Sequence, residues 1–315
     1  MLNRRYLRIK TLQALYAYFQ SAGDVVKSEN IMVKDLYKVY NLYLYMILLL
    51  IDIVEVARRN IELAKEKRLP SEQDLNPNTR FIDNPVFKLI ENNKSFKRLI
   101  ENKKINWQTE DELVRKLYRD IKDSADYENY MNRPICNFQD HKDFAVKIYK
   151  RFIAGSELVH QLMEERDINW YDDIVLVNIS VIKTISTIKE LGDDETEILL
   201  PLFKDEKDDL EFVRDLFKKT ISGEDTFEKM ISSKTKNWEM ERLAMMDVLL
   251  MKMALCELIN FKSIPVKVTL NEYIEISKNY STPKSKTFIN GILDKVVLDL
   301  KGKGELIKSG RGLVE

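Results

Sequence analysis

The residues best placed to do chemistry lie at the start of the chain. In "NRRYLRIKTLQALYAYFQ", Asn3 to Gln20, the cations Arg4, Arg5, Arg8 and Lys10 occur with no carboxylate before Asp24. Such a run suits phosphate oxygens, which take charge-assisted hydrogen bonds from guanidinium and ammonium groups. On a helical wheel Leu7, Leu12, Ala14, Leu15, Tyr18 and Phe19 share one apolar arc, and the three arginines fall inside it. A core helix cannot bury three guanidinium groups without partners. The positive end of the helix macrodipole opposes each cation by ~0.3–1 kcal/mol. The pattern therefore predicts that the first turns overhang the body as a cationic arm facing an anion. Replacing the arginines would then cost little stability. A frayed, solvated terminus with incidental charge is the alternative.

Other chemistry is sparse. His141 and His160 are the only histidines and have no ligand at metal spacing, so they read as structural or surface residues. Cys136 and Cys256 suggest neither a disulfide framework nor a zinc site. No Gly-rich loop precedes a helix in a phosphate-cradling pattern, and "KGKGELIK" lacks the spacing. Carboxylates such as Glu241 and Asp247 sit among apolar helical neighbours, where salt bridging is expected rather than acid–base catalysis. The aromatic run "YKVYNLYLYM" reads as a buried helix before it reads as a base-stacking platform. No enzyme activity, cofactor or metal follows from these residues.

The elements that must position the cations are helices. The 315 residues contain 9 Gly and 7 Pro, few enough to favour helix over turn-rich sheet, and 44% hydrophobic residues supply a core. Lys+Arg and Asp+Glu are both 51, so any nucleic-acid contact must be local. The stretch Glu190–Glu211 is crowded with carboxylates and would repel a misplaced phosphate backbone. The apolar run Leu42–Ile51 is stopped by Asp52, too short to span a bilayer, and the start has no apolar signal region. A cytoplasmic protein is expected. Leu36–Lys67 reads as one long helix, followed by breaks at Pro70, Pro77 and Pro85. Each tryptophan follows an asparagine, at Trp107, Trp170 and Trp238, and flanking residues match at offsets of 63 and 68. Phe81 then falls on Phe144, Phe144 on Phe212, and Gly155 on Gly223. This predicts a repeated helix pair with a half-buried or buried Trp at each corner.

Near the C-terminus, Leu243, Met246, Leu250, Met253, Ala254 and Leu258 keep helical spacing, and Pro265 precedes a helix over "NEYIEISKNY". Thr282 and Pro283 suit an N-cap and first helical position, and Gly291 a close helix approach.

These blocks carry a resemblance. "RLAMMDVLLMKMALCEL", "IPVKVTLNEYIEISKNY" and "KTFINGILDKV" resemble the C-terminal half of the NusB family of bacterial transcription antitermination factors, and "RRYLRIKTLQALYAYFQ" resembles its N-terminal helix. The resemblance implies an all-α fold, a NusB-like helical bundle with an inserted helical-repeat region. The expected divisions are a basic N-terminal helix at 1–22, a helical insertion with two Trp-marked units at 23–204, a NusB-like C-terminal domain at 205–300 and a polar tail at 301–315. It implies that the first helix packs on Glu241–Val297. It also implies a non-enzymatic protein binding boxA-type leader RNA of ribosomal RNA operons with NusE, a small-subunit ribosomal protein, and reaching the RNA polymerase elongation complex through other Nus factors. RNA contacts are implied at Arg4, Arg5, Arg8, Lys10, Tyr16, Lys284, Lys286 and Phe288, and partner contacts at Glu241, Arg242 and Asp247. Tyr6 stands where the family often has another arginine, and the loop holding Lys284 and Lys286 is commonly more acidic. Two other readings remain: a protein-interaction scaffold that has lost RNA binding, and a relative of the NusB-like domain of ribosomal RNA cytosine methyltransferases, for which no cofactor domain follows. A homo-oligomer stays open, as does the role of the insertion.

Overall fold

The structure is a computed structural model and describes residues 1–21, 23–235 and 243–309. Among these residues every regular element is helical and there is no strand. In chain order the helices are α1 Arg4–Ser21, α2 Val25–Lys65, α3 Glu72–Leu75, α4 Pro85–Asn92, α5 Lys94–Lys103, α6 Asp111–Lys122, α7 Ala125–Asn132 and α8 Phe138–Ile148. Then follow α9 Glu157–Arg166, α10 Trp170–Thr187, α11 Glu206–Ser222, α12 Glu224–Ser232, α13 Met245–Asn260, α14 Val266–Tyr280 and α15 Ser285–Gly302. They form two compact units, one of Met1 and Tyr37–Leu202, the other of Leu2–Leu36 and Phe203–Glu315.

The first unit is organised by α2. No Gly or Pro interrupts its 41 residues, and its middle is apolar on every face, so Leu42, Leu44, Met46, Leu49 and Leu50 are fully buried. Because the helix continues through Asp52, it is long and apolar enough to cross a membrane, which corrects the length read from Leu42–Ile51 alone. Two thirds of that stretch is buried inside the fold, the environment of a core helix. Burial pushes the Asp52 carboxyl up to about 6.

Trp107 and Trp170 are both buried, and both pack their rings 5.9 Å from Tyr45 of α2. The Trp107 indole also donates to the Tyr45 carbonyl at 3.0 Å. Two corners of the expected repeat thus meet one tyrosine; Trp238 lies outside the described residues. Phe81 and Phe144, matched by the repeat, are 6.1 Å apart in a cluster where Tyr130 stacks on Phe144 at 3.7 Å. His141 is structural, its Nδ1 2.6 Å from the Tyr130 hydroxyl. Part of the acidic stretch ties down the start of α5: Lys94 pairs with Glu195 at 2.8 Å and the Asn93 amide donates to the Thr196 carbonyl.

The second unit wraps α1, α11, α12, α14 and α15 around α13, which is buried from Leu249 to Leu258. The expected packing of α1 on α13 and α14 is present. Two local expectations are corrected. Gly291 faces open space and admits no neighbouring helix. Helix α15 begins at Ser285 rather than Pro283, because Ser285 donates to the buried Asp247 carboxylate at 2.7 Å and Thr282 bonds the Ser285 hydroxyl at 2.8 Å.

Candidate functional site

The apolar arc of α1 carries its arginines into the second unit, where the fold supplies a carboxylate for each. Arg8 is 2% exposed and grips Glu257 of α13 with two bonds, 2.7 and 2.8 Å. Glu257 is itself 0% exposed and also accepts from Thr269 at 2.7 Å and Tyr273 at 3.3 Å. Burial opposes the Arg8 charge, but the forked bond to Glu257 and the charges of Glu257, Tyr273 and Glu272 together outweigh it and raise the guanidinium pKa. The expected overhanging arm is therefore corrected at Arg8. Three guanidinium groups cannot be buried without partners, and here the partners exist, 249 residues away for this pair.

Arg5 and Arg4 sit nearer the surface. Arg5 makes a forked pair with Glu272 of α14 at 2.8 and 2.9 Å, which raises its own pKa and lowers that of Glu272. Arg8 reaches the same carboxylate at 3.6 Å. Arg4 pairs with Asp208 and, at 3.5 Å, Asp209, and lies 4.5 Å over the Phe212 ring. Lys10 is buried, with its ammonium 5.8 Å from the Tyr6 ring. Beside these pairs opens a cleft of about 660 Å³, lined by apolar side chains including Phe212, Phe261, Ile264 and Val268 and by carboxylates including Asp208 and Asp215.

Lys286 is exposed in the first turn of α15. The exposed carboxyl of Glu275 on α14 is held below its usual range by its bond to Lys278, and the charges of Arg5 and Lys286 lower it further. Tyr16 is 40% exposed and stands eleven residues after Arg5, which places both on one face of α1. Lys284 is exposed, and Phe288 is half-buried in the first turn of α15. Of the expected partner contacts, Glu241 and Arg242 lie outside the described residues. Asp247 is buried with its carboxylate taken by Ser281 and Ser285, so it joins α13 to α15 instead of facing outward.

Sequence reasoning passed over Glu257 and Glu272, which decide how the arginines stand. Glu257 carried a signal: it is a lone carboxylate inside "MKMALCELIN", where an amphipathic helix has no need of one. A second group of the same kind is Lys252, 5% exposed, held by Glu224 at 2.7 Å and Glu228 at 2.6 Å.

Residues 177–298 match the NusB family. The match opens within α10, so it takes in residues 177–204, which the sequence reading places in the insertion. Over 138 residues the chain is 38% identical to the transcription antitermination protein NusB of Salinibacter ruber, a span that is 42% of this chain and 86% of that protein. It is 42% identical over 105 residues to the protein of the same name from Chloroherpeton thalassium, covering 33% of this chain and half of that one. A solved structure of T. maritima NusB shares 26% identity and superposes with a TM-score of 0.30, covering 47% of this chain and 92% of that one.

Proposed function

Because the chain belongs to the NusB family, whose relatives are named transcription antitermination proteins, we propose that it binds boxA-type leader RNA of ribosomal RNA operons together with NusE and promotes read-through by RNA polymerase. The reading is supported by Arg5, a half-exposed guanidinium on the same face of α1 as the exposed Tyr16, and by the exposed cation Lys286 in the first turn of α15. With Lys284 they form a local cationic surface on a neutral protein, the kind of surface a phosphate backbone needs. Tyr16 and Phe288 supply faces on which unpaired bases stack. Arg4 exchanges a surface carboxylate for a phosphate. Arg8 and Lys10 act from behind: Arg8 fixes Glu257 and Glu272, and so sets the position of Arg5. In this reading residues 177–300 with the first helix form the RNA-binding body, the rest of the stretch 23–204 is an insertion, and Glu241 and Arg242 contact the protein partner.

Anisotropy of labelled boxA RNA over a salt series tests the reading. Arg5→Ala and Lys286→Ala should each weaken binding and flatten the slope of log affinity against log salt by about 0.7. NusE should raise RNA affinity, and RNA should raise NusE affinity by the same factor. A second reading, a protein scaffold without RNA binding, is favoured by the carboxylate that each N-terminal arginine already holds. Unchanged RNA affinity and slope in both variants would decide for it.

A further inference from the structure

Another cavity of about 660 Å³ lies wholly within the first unit, between α2 and the segment that runs from α5 into α6. Ile100, Ile105 and Val114 give it an apolar wall. Two charged side chains of α2, Asp52 and Arg59, also line it. They stand seven residues apart, two helical turns and ~10 Å of rise along one face. From α6 come Asp111 and Arg115, which are bonded to each other at 2.5 Å. Asp52 is half-buried, whereas both arginines are exposed. Among the described residues no donor reaches the Asp52 carboxylate, and the charges acting on it are Arg59, attractive, and Glu55, repulsive. A carboxylate partly withdrawn from water without a donor is costly, and such a group calls for a partner.

We propose that this cavity binds a guanine nucleotide, the Asp52 carboxylate taking the N1–H and exocyclic amine of the base and the two arginines its phosphate. A carboxylate without donors is best met by two parallel N–H groups, which a guanidinium, an amidine or the edge of guanine presents. Arg59 already acts on Asp52, so a cationic ligand would stand against a like charge, and the neutral guanine edge is favoured. Arg59 and Arg115 in turn suit an anion, since a guanidinium takes phosphate oxygens in a forked pair. The ~10 Å of helix between Asp52 and Arg59 is comparable with a nucleoside monophosphate from base edge to phosphate. The flat body of the base lies against Ile100, Ile105 and Val114, and the volume is that of an ordinary ligand pocket. Adenine offers an acceptor where guanine offers N1–H, so an ionised Asp52 rejects it. A free nucleotide and a guanosine at the phosphorylated end of an RNA strand share this chemistry. None of these residues belongs to the cationic surface of α1 and α15, so the inference stands apart from the boxA reading.

Isothermal titration calorimetry of the full chain at pH 8, where Asp52 is ionised, tests the proposal. GMP should bind with a Kd in the micromolar range, and AMP about a hundredfold more weakly. Asp52→Asn relieves a partly buried charge, so it should keep the protein folded while weakening GMP by about tenfold to a hundredfold. The same variant should bind GMP and AMP with similar affinity. Arg59→Ala should weaken GMP by about fivefold and leave guanosine, which has no phosphate, unchanged. An oligoribonucleotide that begins with 5′-phosphorylated guanosine and displaces GMP identifies an RNA strand as the source; one that does not displace it identifies the free nucleotide. No binding of GMP at millimolar concentration overturns the proposal and leaves the cavity a gap in packing. So do equal wild-type affinities for GMP and AMP, or an Asp52→Asn variant that binds GMP as the wild type does.

Discussion

At the centre of the unit formed by α1 and α11–α15 lies a carboxylate, Glu257, with a guanidinium, a threonine and a tyrosine turned toward it. In the unit built on α2 an aromatic ring, Tyr45, has two tryptophans against it. The first arrangement is directional: forked bonds fix the angle of α1 on α13 and α14, and a shift of an ångström breaks them. The second is tolerant, since ring contacts fall off gradually and several geometries serve. Directional bonds lie beneath the candidate RNA surface, where the relative placement of helices sets where cations stand. Tolerant packing holds the unit built on α2.

The sharpest way to break the comparison is to remove one partner of the buried pair. Glu257→Ala leaves Arg8 buried with only the Glu272 carboxylate, at 3.6 Å, and should cost about 3–5 kcal/mol in urea melts. Replacing both members, Arg8→Met with Glu257→Leu, should restore most of it while misplacing Arg5. If the single and double variants melt alike, the pair is not a buried unit. A smaller loss is expected in the other unit, where Tyr45→Leu removes two ring contacts and should cost about 1–3 kcal/mol. Asp52 supplies a pH test there. Its carboxyl is raised from 3.8 to about 6 by burial, so its penalty is absent below pH 4 and develops as pH rises through 6. Asp52→Asn should therefore stabilise the protein on the order of 1–2 kcal/mol at pH 8 and have little effect at pH 4. The smallest stability effect belongs to Arg5, about half exposed: Arg5→Ala should cost under about 1 kcal/mol while lowering RNA affinity. Equal losses for Arg5 and Arg8 variants would erase the distinction between surface and buried pairs.

Local pattern made the helices legible. The unbroken apolar run of α2, the Pro265 start of α14 and the heptad-like spacing of α13 are signals carried by neighbouring residues. The ion pairs are not of that kind. Arg8 looked unburiable because its partner belongs to a helix that emerges only after the whole of the other unit, and helical periodicity says nothing about distant pairing. Asp247 misled in the opposite sense, a charged residue read as outward that the fold uses to hold Ser281 and Ser285. The exposed apolar face of α10, with Tyr171, Val175 and Ile179, was hidden for a related reason. Apolar spacing identifies a helix but not which of its apolar faces the tertiary structure will leave open.

The separation of Arg8 from Glu257 also bears on how the chain is made. At about 5–20 residues per second of synthesis, the 249 residues between them take roughly 12–50 s to appear. Throughout that interval Leu7, Leu12 and Leu15 have been translated while α13 has not, although residues 37–202 have all the partners their own unit needs. Helix α1 thus waits for its buried carboxylate until the whole of the other unit has been made, and a message cut short before codon 257 leaves Arg8 without Glu257.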